Sequence, residues 1–303
     1  VLSSNQPPPP VPDETELDED FVINLSINPF VIPDCTRTPD AYEECQKISG
    51  SKYYSETDWI SAYHQILLEI ISQALTQHRT QDGVMQNTKL PQGLRNASQR
   101  LHKCQHALFG DLPGTAGFFD NNAFHADSLD DLLDIVEAFL ARCVSKNVKL
   151  KNLSFGVRKL VWIGHAINDQ GVTIDPSLQS GLFNMPFPAD KQLVGSFARA
   201  CGWLRSMLSK DFAIHAGVLL DYSAQKKHSQ SDIAAAKSAF SSIQEMLKNP
   251  LVLKPFDASL ETELSMDFSL TAVGACLRQK HPTSWFPVFS ASRRLTVGEK
   301  RQI

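Results

Sequence analysis

The chain has 303 residues, of which 42% are hydrophobic, and it carries a formal net charge of −4 with a pI near 6.1. This length and composition predict folded domains with cores of their own, and no apolar run reaches the roughly 18 residues that span a bilayer. The acidic balance argues against strong binding of a phosphate backbone, because such binding uses a basic surface. The six cysteines include no C-x-x-C pair, so they predict free thiols rather than a zinc site or a disulfide framework.

Residues 1–20 combine prolines with a run of acidic side chains. Such a composition cannot bury enough apolar surface to offset the entropy of ordering, so we predict a disordered, proline-rich acidic arm. The prolines stand where a secretory signal would have its apolar segment, and we expect an intracellular protein, nuclear or cytoplasmic, without a membrane partner. Because the chain begins without Met and ends in a polar run, we expect it to be a piece of a longer polypeptide.

The segments that follow carry strand and helix patterns. Residues 21–30 alternate apolar and polar side chains, which predicts a half-exposed strand. Residues 58–71 predict a strand that turns into a short helix, so that Asp58 lies near the strand end. A loop at 90–93 leads into a helix that runs from about 96 to 109.

A tight β-hairpin is predicted at residues 118–125, where an apolar pair, a polar turn and a second apolar run follow one another. Asp120, Asn121 and Asn122 tolerate the left-handed backbone of a two-residue turn, and phenylalanine suits half-buried strands. Asp120 would stand at the tip. Taken alone, these eight residues also fit an ordinary surface hairpin.

The rest of the chain adds an amphipathic helix at 129–144, which would cover one face of a sheet. Residues 21–175 then predict an α+β layer of antiparallel strands with helices on one face. A small helical subdomain follows, with a polar loop at 225–228, and the last strands open an α/β unit that the chain does not complete. The remaining predicted elements are a helix at 39–48, strands at 148–150, 160–163 and 172–174, helices at 191–208 and 231–247, and strands at 264–277 and 287–290.

Several of these segments resemble, in order and spacing, the reverse transcriptase of gypsy-type long-terminal-repeat retrotransposons. The resemblance covers nearly everything after residue 29. Residues 58–66 are similar to the family's first acidic motif, and residues 118–121 fall where the family has its Tyr-x-Asp-Asp hairpin. The other matching segments are 32–34 and 49–55 ahead of the first acidic motif, 90–97 at the template and nucleotide loop, 162–165 at the primer grip, 197–208 in the thumb, and 267–269 with 273–275 in the first strand of RNase H.

The resemblance implies an α+β fold with a reverse-transcriptase-like palm, truncated fingers, a small helical thumb and an incomplete RNase H-like α/β unit. It implies the fingers remnant and palm at 21–180, the thumb and connection helices at 181–250, and the start of the RNase H-like domain at 251–303. Asp267 would be the remnant of the RNase H acidic set, and one carboxylate cannot hold two metal ions.

The family's reaction joins a primer 3′ hydroxyl to an incoming nucleotide, with two Mg²⁺ ions on the attacking and leaving oxygens. The resemblance implies that Asp58, Asp120 and the residue after Asp120 hold these metal ions. That third residue is Asn121 here. An amide in place of a carboxylate removes a unit of negative charge, which at about 4 Å and an effective dielectric near 20 is on the order of 4 kcal/mol, or roughly a thousandfold in metal occupancy or rate.

Further nucleotide-binding positions are implied by the same resemblance. Tyr63 takes the place of the residue that screens the sugar 2′ hydroxyl, Gln92 and Gly93 belong to the nucleotide loop, and Lys151 is the lysine that could give a proton to pyrophosphate. Tyr63, Gln92 and Gly93 also fit plain packing roles. The family holds the triphosphate with basic residues in a fingers strand, whereas residues 18–30 contain no Lys or Arg.

Three functions stay open. The first is a domesticated pseudoenzyme, catalytically inactive and without a cofactor, that serves as a scaffold or binding module for protein or RNA. The second is an active RNA-directed DNA polymerase of a diverged retrotransposon, with two Mg²⁺ ions on Asp58 and Asp120. The third is a nucleic-acid-binding module without chemistry, for RNA or an RNA–DNA hybrid, on a basic face of Arg95, Arg100 and Lys103. We favour the first because a metal-binding carboxylate, the fingers cations and a basic balance are missing together.

Overall fold

The computed structural model describes residues 27–81 and 83–300. The arm predicted at 1–20, most of the strand predicted at 21–30 and the last residues of the chain lie outside these ranges. The described end of that predicted strand is instead a 3₁₀ turn at Asn28–Phe30. Pro29 accounts for the difference, because its ring fixes φ and removes the N–H that a strand ladder uses.

The described chain contains both helices and strands, and among these helices none has the length and apolar character of a membrane span. The helices are α1 Ala41–Ile48, α2 Ile70–Ala74, α3 Ala97–Phe109, α4 Leu129–Lys146, α5 Pro176–Phe183, α6 Lys191–Trp203, α7 Phe212–Ala224, α8 Gln230–Lys248 and α9 Val297–Lys300. The strands are β1 Tyr53–Trp59, β2 His78–Thr80, β3 Gly83–Met85, β4 Thr115–Phe118, β5 Asn121–Ala126, β6 Leu150–Val157, β7 Leu160–Trp162, β8 His165–Asn168, β9 Gly171–Ile174, β10 Thr262–Phe268, β11 Ala272–Lys280 and β12 Trp285–Arg294.

The palm is an antiparallel sheet in the order β4-β5-β1-β6, with β1 paired on both sides. The predicted hairpin is confirmed as β4 and β5, which are joined by two residues. Helices α3 and α4 pack on the sheet through an aromatic core, in which the ring centroids of Phe109 and Phe139 lie 4.4 Å apart and those of Phe124 and Phe139 lie 4.8 Å apart. This core fixes the sheet face opposite to the one that carries Glu56 and Asp58 of β1.

Helix α4 forms where the sequence predicts it. Its buried residues Leu132, Val136, Phe139 and Cys143 recur at helical spacing and face the palm core. Ser128 caps the first turn, because its Oγ accepts a hydrogen bond of 3.1 Å from the backbone N–H three residues later. The helix therefore begins and ends on signals that are local to the sequence.

The strands predicted after α4 are present, but their bounds differ. The strand predicted at 148–150 begins at Leu150 and continues as β6, and β8 was not predicted. The sheet β7-β8-β9 turns tightly at Gly164, whose φ is +81°. A glycine adopts that left-handed conformation without a Cβ penalty, and it lets the indole of Trp203 approach the turn closely.

The thumb contains one helix more than predicted. The sequence predicted helices at 191–208 and 231–247, and the first of these ends as α6, with a short 3₁₀ turn behind it at Arg205–Met207. Helix α7 occupies a stretch that is apolar on almost every side. Because a helix surrounded by neighbours needs no polar face, this segment lacks the amphipathic period by which helices are found in a sequence.

The final sheet has the order β10-β11-β12 and packs on the thumb. Arg294 of β12 donates to both carboxylate oxygens of Asp221 in α7, at 2.9 and 2.8 Å. Strand β10 is an edge strand and every residue in it is exposed. The ion pair with α7 is therefore made by β12.

Candidate functional site

The structure brings three of the predicted site residues together at one end of the palm sheet. Asp58 in β1 lies directly opposite Asn121 in β5. Asp120 occupies the two-residue turn, and its backbone carbonyl accepts a hydrogen bond of 3.1 Å from the N–H of Trp59. Strand pairing therefore places the first acidic motif against the hairpin turn.

The turn itself differs from the prediction in one respect. The left-handed residue is Phe119, with φ of +55°, and not one of the three polar residues that follow it. Its ring packs against that of Phe118, with centroids 4.8 Å apart, and against His102 of α3 at 6.2 Å. Aromatic packing offsets the cost of about 1 to 2 kcal/mol that a left-handed residue with a Cβ carries.

Burial and like charge act together on Asp58. Partial burial raises the pKa of its carboxyl group, and the nearby carboxylate of Asp120 raises it further, while Lys151 opposes both effects. Asn121 contributes no charge, and its side-chain N–H donates to Oδ1 of Asp120 at 3.3 Å. The site is thus a pair of interacting carboxylates with an amide beside them.

Lys151 reaches this site because β6 is bulged. The pairing of β1 with β6 shifts between Thr57 and Asp58, at Asn152, whose φ is +53°. The shift sets Lys151 opposite Asp58, and Oγ1 of Thr57 donates to the Asn152 carbonyl at 2.7 Å. Of the predicted nucleotide-binding residues, Lys151 is therefore the one that lies beside the carboxylates.

Glu56 is a site residue that the sequence analysis missed. It lies two residues before Asp58 on β1, so both side chains leave the same face of the sheet. Burial raises the pKa of Glu56, and the carboxylate of Asp58 adds to the rise. The spacing of two on a strand was the available signal, although a single Glu on a half-exposed strand is usually only solvated. With Asp120, these residues make the floor of the palm acidic.

A buried polar pair supports the turn from behind, and no local sequence pattern predicts it. Gln105 of α3 is 6% exposed and donates to Oδ1 of Asn122, which is 1% exposed, at 3.1 Å. The Asn122 amide in turn donates to the backbone carbonyl of Asp120 at 3.4 Å. Gly117 leaves room for this pair, since a Cβ there would overlap the Gln105 amide. Helix α3 thereby holds the turn in place.

The other predicted nucleotide-binding residues make contacts with neighbouring elements. The Tyr63 hydroxyl, in a 3₁₀ turn after β1, lies 3.1 Å from Oγ of Ser98 on α3. Gly93 has φ of +88°, and its carbonyl accepts a hydrogen bond of 2.7 Å from the Asn28 amide. Gln92 is half-buried in the same loop. Tyr63 and Gly93 thus make contacts within the protein, and both the nucleotide-binding and the packing roles stay predictions.

Asp267 lies far along the chain in β10 and has a partner from the thumb. Its Oδ2 is 2.5 Å from Nζ of Lys210, and this ion pair lowers the pKa of the Asp267 carboxyl group. Strand β11 comes close at the same place, because a Cβ on Gly274 would lie 3.0 Å from Cβ of Lys210. Asp267 is therefore joined to the thumb.

The side chains that are available as metal ligands in the palm determine which cation this site can bind. A divalent cation would relieve the repulsion between Asp58 and Asp120, so the pair fits one such ion. Across the part of the chain that the structure describes, no three His, Cys, Asp or Glu side chains are placed to hold a metal ion together. Asn121 supplies at most one neutral oxygen. The set does not fit the pair of Mg²⁺ ions that two-metal phosphoryl transfer uses.

The fold combines a palm sheet that carries an acidic hairpin turn, a helical thumb and a following β-sheet. This combination is the architecture of polymerase-like folds. Residues 19–153 match the family model described as reverse transcriptase (RNA-dependent DNA polymerase), and residues 234–302 match the RNase H-like domain found in reverse transcriptase. The two matched segments are thus similar to the polymerase and RNase H-like domains of reverse transcriptases, which confirms the resemblance seen in the sequence.

Relatives among curated proteins come from transposons. The chain is 28% identical over 91% of its length to the retrovirus-related Pol polyprotein from transposon 412 of Drosophila melanogaster, and 24% identical over 90% to the transposon Tf2-7 polyprotein of Schizosaccharomyces pombe. It covers 22% and 21% of those two proteins. The chain thus spans about a fifth of the length of these relatives.

Solved structures share the fold. The foamy viral protease-reverse transcriptase dRH in complex with double-stranded DNA superposes with a TM-score of 0.75 at 17% identity, over 92% of this chain and 50% of that one. The foamy viral protease-reverse transcriptase in complex with RNA/DNA hybrid gives 0.74 at 17% identity, over 91% and 38%. The predicted α+β architecture of palm and RNase H-like unit is confirmed.

Proposed function

We propose that this chain is a reverse-transcriptase fold that has lost efficient polymerase chemistry and acts as a binding scaffold. One observation carries the proposal: Asn121 stands opposite Asp58 at the position where a third metal-binding carboxylate belongs. The proposed division into palm at 21–180, thumb at 181–250 and RNase H-like start at 251–303 gives such a scaffold three surfaces. Under this proposal Tyr63, Gln92 and Gly93 are structural.

The acidic floor of the palm supports a protein partner over a phosphate backbone. Glu56, Asp58 and Asp120 repel phosphate, and Lys151 is a cation that acts on Asp58. A protein surface that carries Lys or Arg matches this charge, and such complementarity guides association. We therefore assign the palm floor to a partner with basic side chains.

The basic face considered for nucleic acid is largely occupied by internal contacts. Nζ of Lys103 lies 2.6 Å from Oδ2 of Asp34, and the guanidinium of Arg95 is 3.5 Å from the carbonyls of Asn28 and Val31. Arg100 is exposed and has no ion-pair partner in the described ranges. Binding of a phosphate backbone through one available cation on this face would release few counterions. The structure therefore disfavours the nucleic-acid module.

Primer extension tests the loss of chemistry. The chain would be given a primed RNA template and dNTPs with Mg²⁺ or Mn²⁺, beside the variants Asp120→Ala and Asn121→Asp. We expect the chain to incorporate no more than Asp120→Ala does, because both lack a full carboxylate set. Incorporation by the chain that Asp120→Ala abolishes would establish the polymerase instead. A gain in Asn121→Asp would identify the amide as the cause of the loss.

Binding of an RNA–DNA hybrid tests the scaffold assignment separately. We expect weak binding with a shallow dependence on salt, since few phosphates are neutralised. The matched control is Glu56→Gln, which reduces the acidity of the floor and should strengthen binding of the hybrid. Tight, steeply salt-dependent binding by the unmodified chain would overturn the assignment to a protein partner.

A further inference from the structure

We propose that a cleft between α1, the end of α6 and β12 binds a nucleoside phosphate. The cleft has a volume of about 330 Å³, within the range of about 300 to 1,000 Å³ that is usual for small-molecule sites. It is built from the palm, the thumb and the final sheet at once. The lining residues that the argument uses are Asp40, Arg199, Trp203, Arg205 and Phe289.

Two guanidinium groups give the cleft its preference for an anion. Arg199 and Arg205 are exposed, and neither has a carboxylate partner among residues 27–81 and 83–300. Arg199 donates to Oγ of Ser196 at 3.0 Å, which leaves most of its donors available. By contrast, Arg142 and Arg294 are held by carboxylates. The planar fork of a guanidinium binds phosphate oxygens in a bidentate manner.

Two aromatic side chains supply apolar faces for a base. Trp203 is 47% exposed and Phe289 is 41% exposed, although both are held in place. Nε1 of Trp203 donates to the Ile163 carbonyl at 3.2 Å, and the Phe289 ring lies 5.5 Å from that of Tyr42. Fixed, half-exposed aromatic rings stack on bases at little cost in side-chain entropy.

Asp40 is the acidic side chain of the cleft, and it suits a sugar rather than repelling the phosphate. Oδ1 of Asp40 accepts hydrogen bonds from the backbone N–H groups of Tyr42 and Glu43, at 3.0 and 3.2 Å, because it caps α1. The helix terminus therefore offsets its negative charge. Its remaining lone pairs can accept from ribose hydroxyls. Arginines, aromatic faces and a capped carboxylate together match phosphate, base and sugar.

This cleft is separate from the carboxylates of the palm but is connected to their turn. The Trp203 and Phe118 rings lie 5.9 Å apart in an edge-to-face arrangement. Phe118 is the last residue of β4 before the turn that carries Asp120. The proposal does not rest on the loss of polymerase chemistry, because none of the lining residues belongs to the carboxylate site.

Calorimetric titration of the chain with ADP tests the proposal. We expect saturable binding that Arg199→Gln and Arg205→Gln each weaken by about tenfold, the effect of one charge-assisted hydrogen bond. Adenosine and inorganic phosphate, titrated separately, should each bind more weakly than ADP. Arg100→Gln removes the same charge outside the cleft and should leave the affinity unchanged.

Three results would overturn the proposal. Equal ADP affinity in both arginine variants would show that the cleft is not the site. Loss of binding in Asp58→Asn, with the arginine variants unaffected, would place ADP in the palm. Binding of a short single-stranded RNA through Arg199 and Arg205, with no binding of ADP, would assign the cleft to a polynucleotide instead. Circular dichroism of each variant confirms that the fold is retained.

Discussion

Asp58 and Asn121 face each other across β1 and β5 as directly opposed residues of an antiparallel pair. Side chains in such a position have Cβ atoms about 4.5 to 5.5 Å apart, close enough to share one cation. One of the two is an acid and the other an amide, so the pair carries half the charge that two carboxylates would carry. Under the proposed function, this single difference limits the metal ions that the palm can hold.

Restoring the carboxylate should increase metal affinity. In Asn121→Asp we expect Mn²⁺ to bind at least about tenfold more tightly than in the unmodified chain, since a unit charge is added beside Asp58 and Asp120. Electron paramagnetic resonance of free Mn²⁺ measures the change. Asn249→Asp adds the same charge at the exposed end of α8 and serves as the control. An equal gain in both variants would contradict the expectation.

The protonation of Asp58 should make stability depend on pH in a defined direction. Its pKa is raised above the ordinary value of 3.8, so between that value and the raised pKa the native state binds more protons than the unfolded state. The free energy of unfolding therefore falls as pH rises through this window. We expect Asp58→Asn to be more stable than the unmodified chain at pH 7, with the advantage vanishing below pH 4.

Asp111 provides a control of opposite sign for that experiment. Its hydrogen bonds with Arg142 lower the pKa of its carboxyl group, so its stabilisation is present at neutral pH and is lost as pH falls through the lowered value. Asp111→Asn should therefore be less stable than the unmodified chain at pH 7. Urea unfolding at several pH values measures both variants, and shifts of the same sign would contradict the assignment for Asp58.

The pair behind the turn should couple energetically. Gln105→Ala and Asn122→Ala each leave a buried amide without its partner, which costs about 1 to 3 kcal/mol of unfolding free energy. The double variant should cost less than the sum, with a coupling of roughly 0.5 to 3 kcal/mol. Urea unfolding of the four proteins completes the cycle. Additive losses would mean that the two amides do not act as a pair.

The contacts between thumb and final sheet should differ in strength. Arg294→Ala loses two hydrogen bonds to Asp221 and its packing over Gly217, and we expect a loss of about 1 kcal/mol. Lys210→Met removes an exposed ion pair and should cost less, while the pKa of Asp267 returns toward its ordinary value. Carboxyl NMR titration follows that pKa. An unchanged pKa in Lys210→Met would contradict the ion pair.

The sequence predicts the positions of Asp58 and Asp120 well, because strand alternation and turn residues are local signals. It does not predict that Lys151 faces Asp58, since this depends on a bulge in a neighbouring strand. Nor does it predict the role of Trp203, whose contacts come from β4 and the turn after β7. Helix α7 escaped prediction because it is apolar on almost every side and so lacks the period that marks a helix.

The left-handed Phe119 has a consequence for any ligand of the turn. Its ring contacts with Phe118 and His102, together with the hydrogen bonds that the Asp120 carbonyl accepts, all come from the chain itself. The loop is thus preorganised, and a ligand that arrives there has no segment to order first. Because ordering of the loop costs little of the binding free energy, the charges of the side chains around the turn have a correspondingly larger influence on affinity.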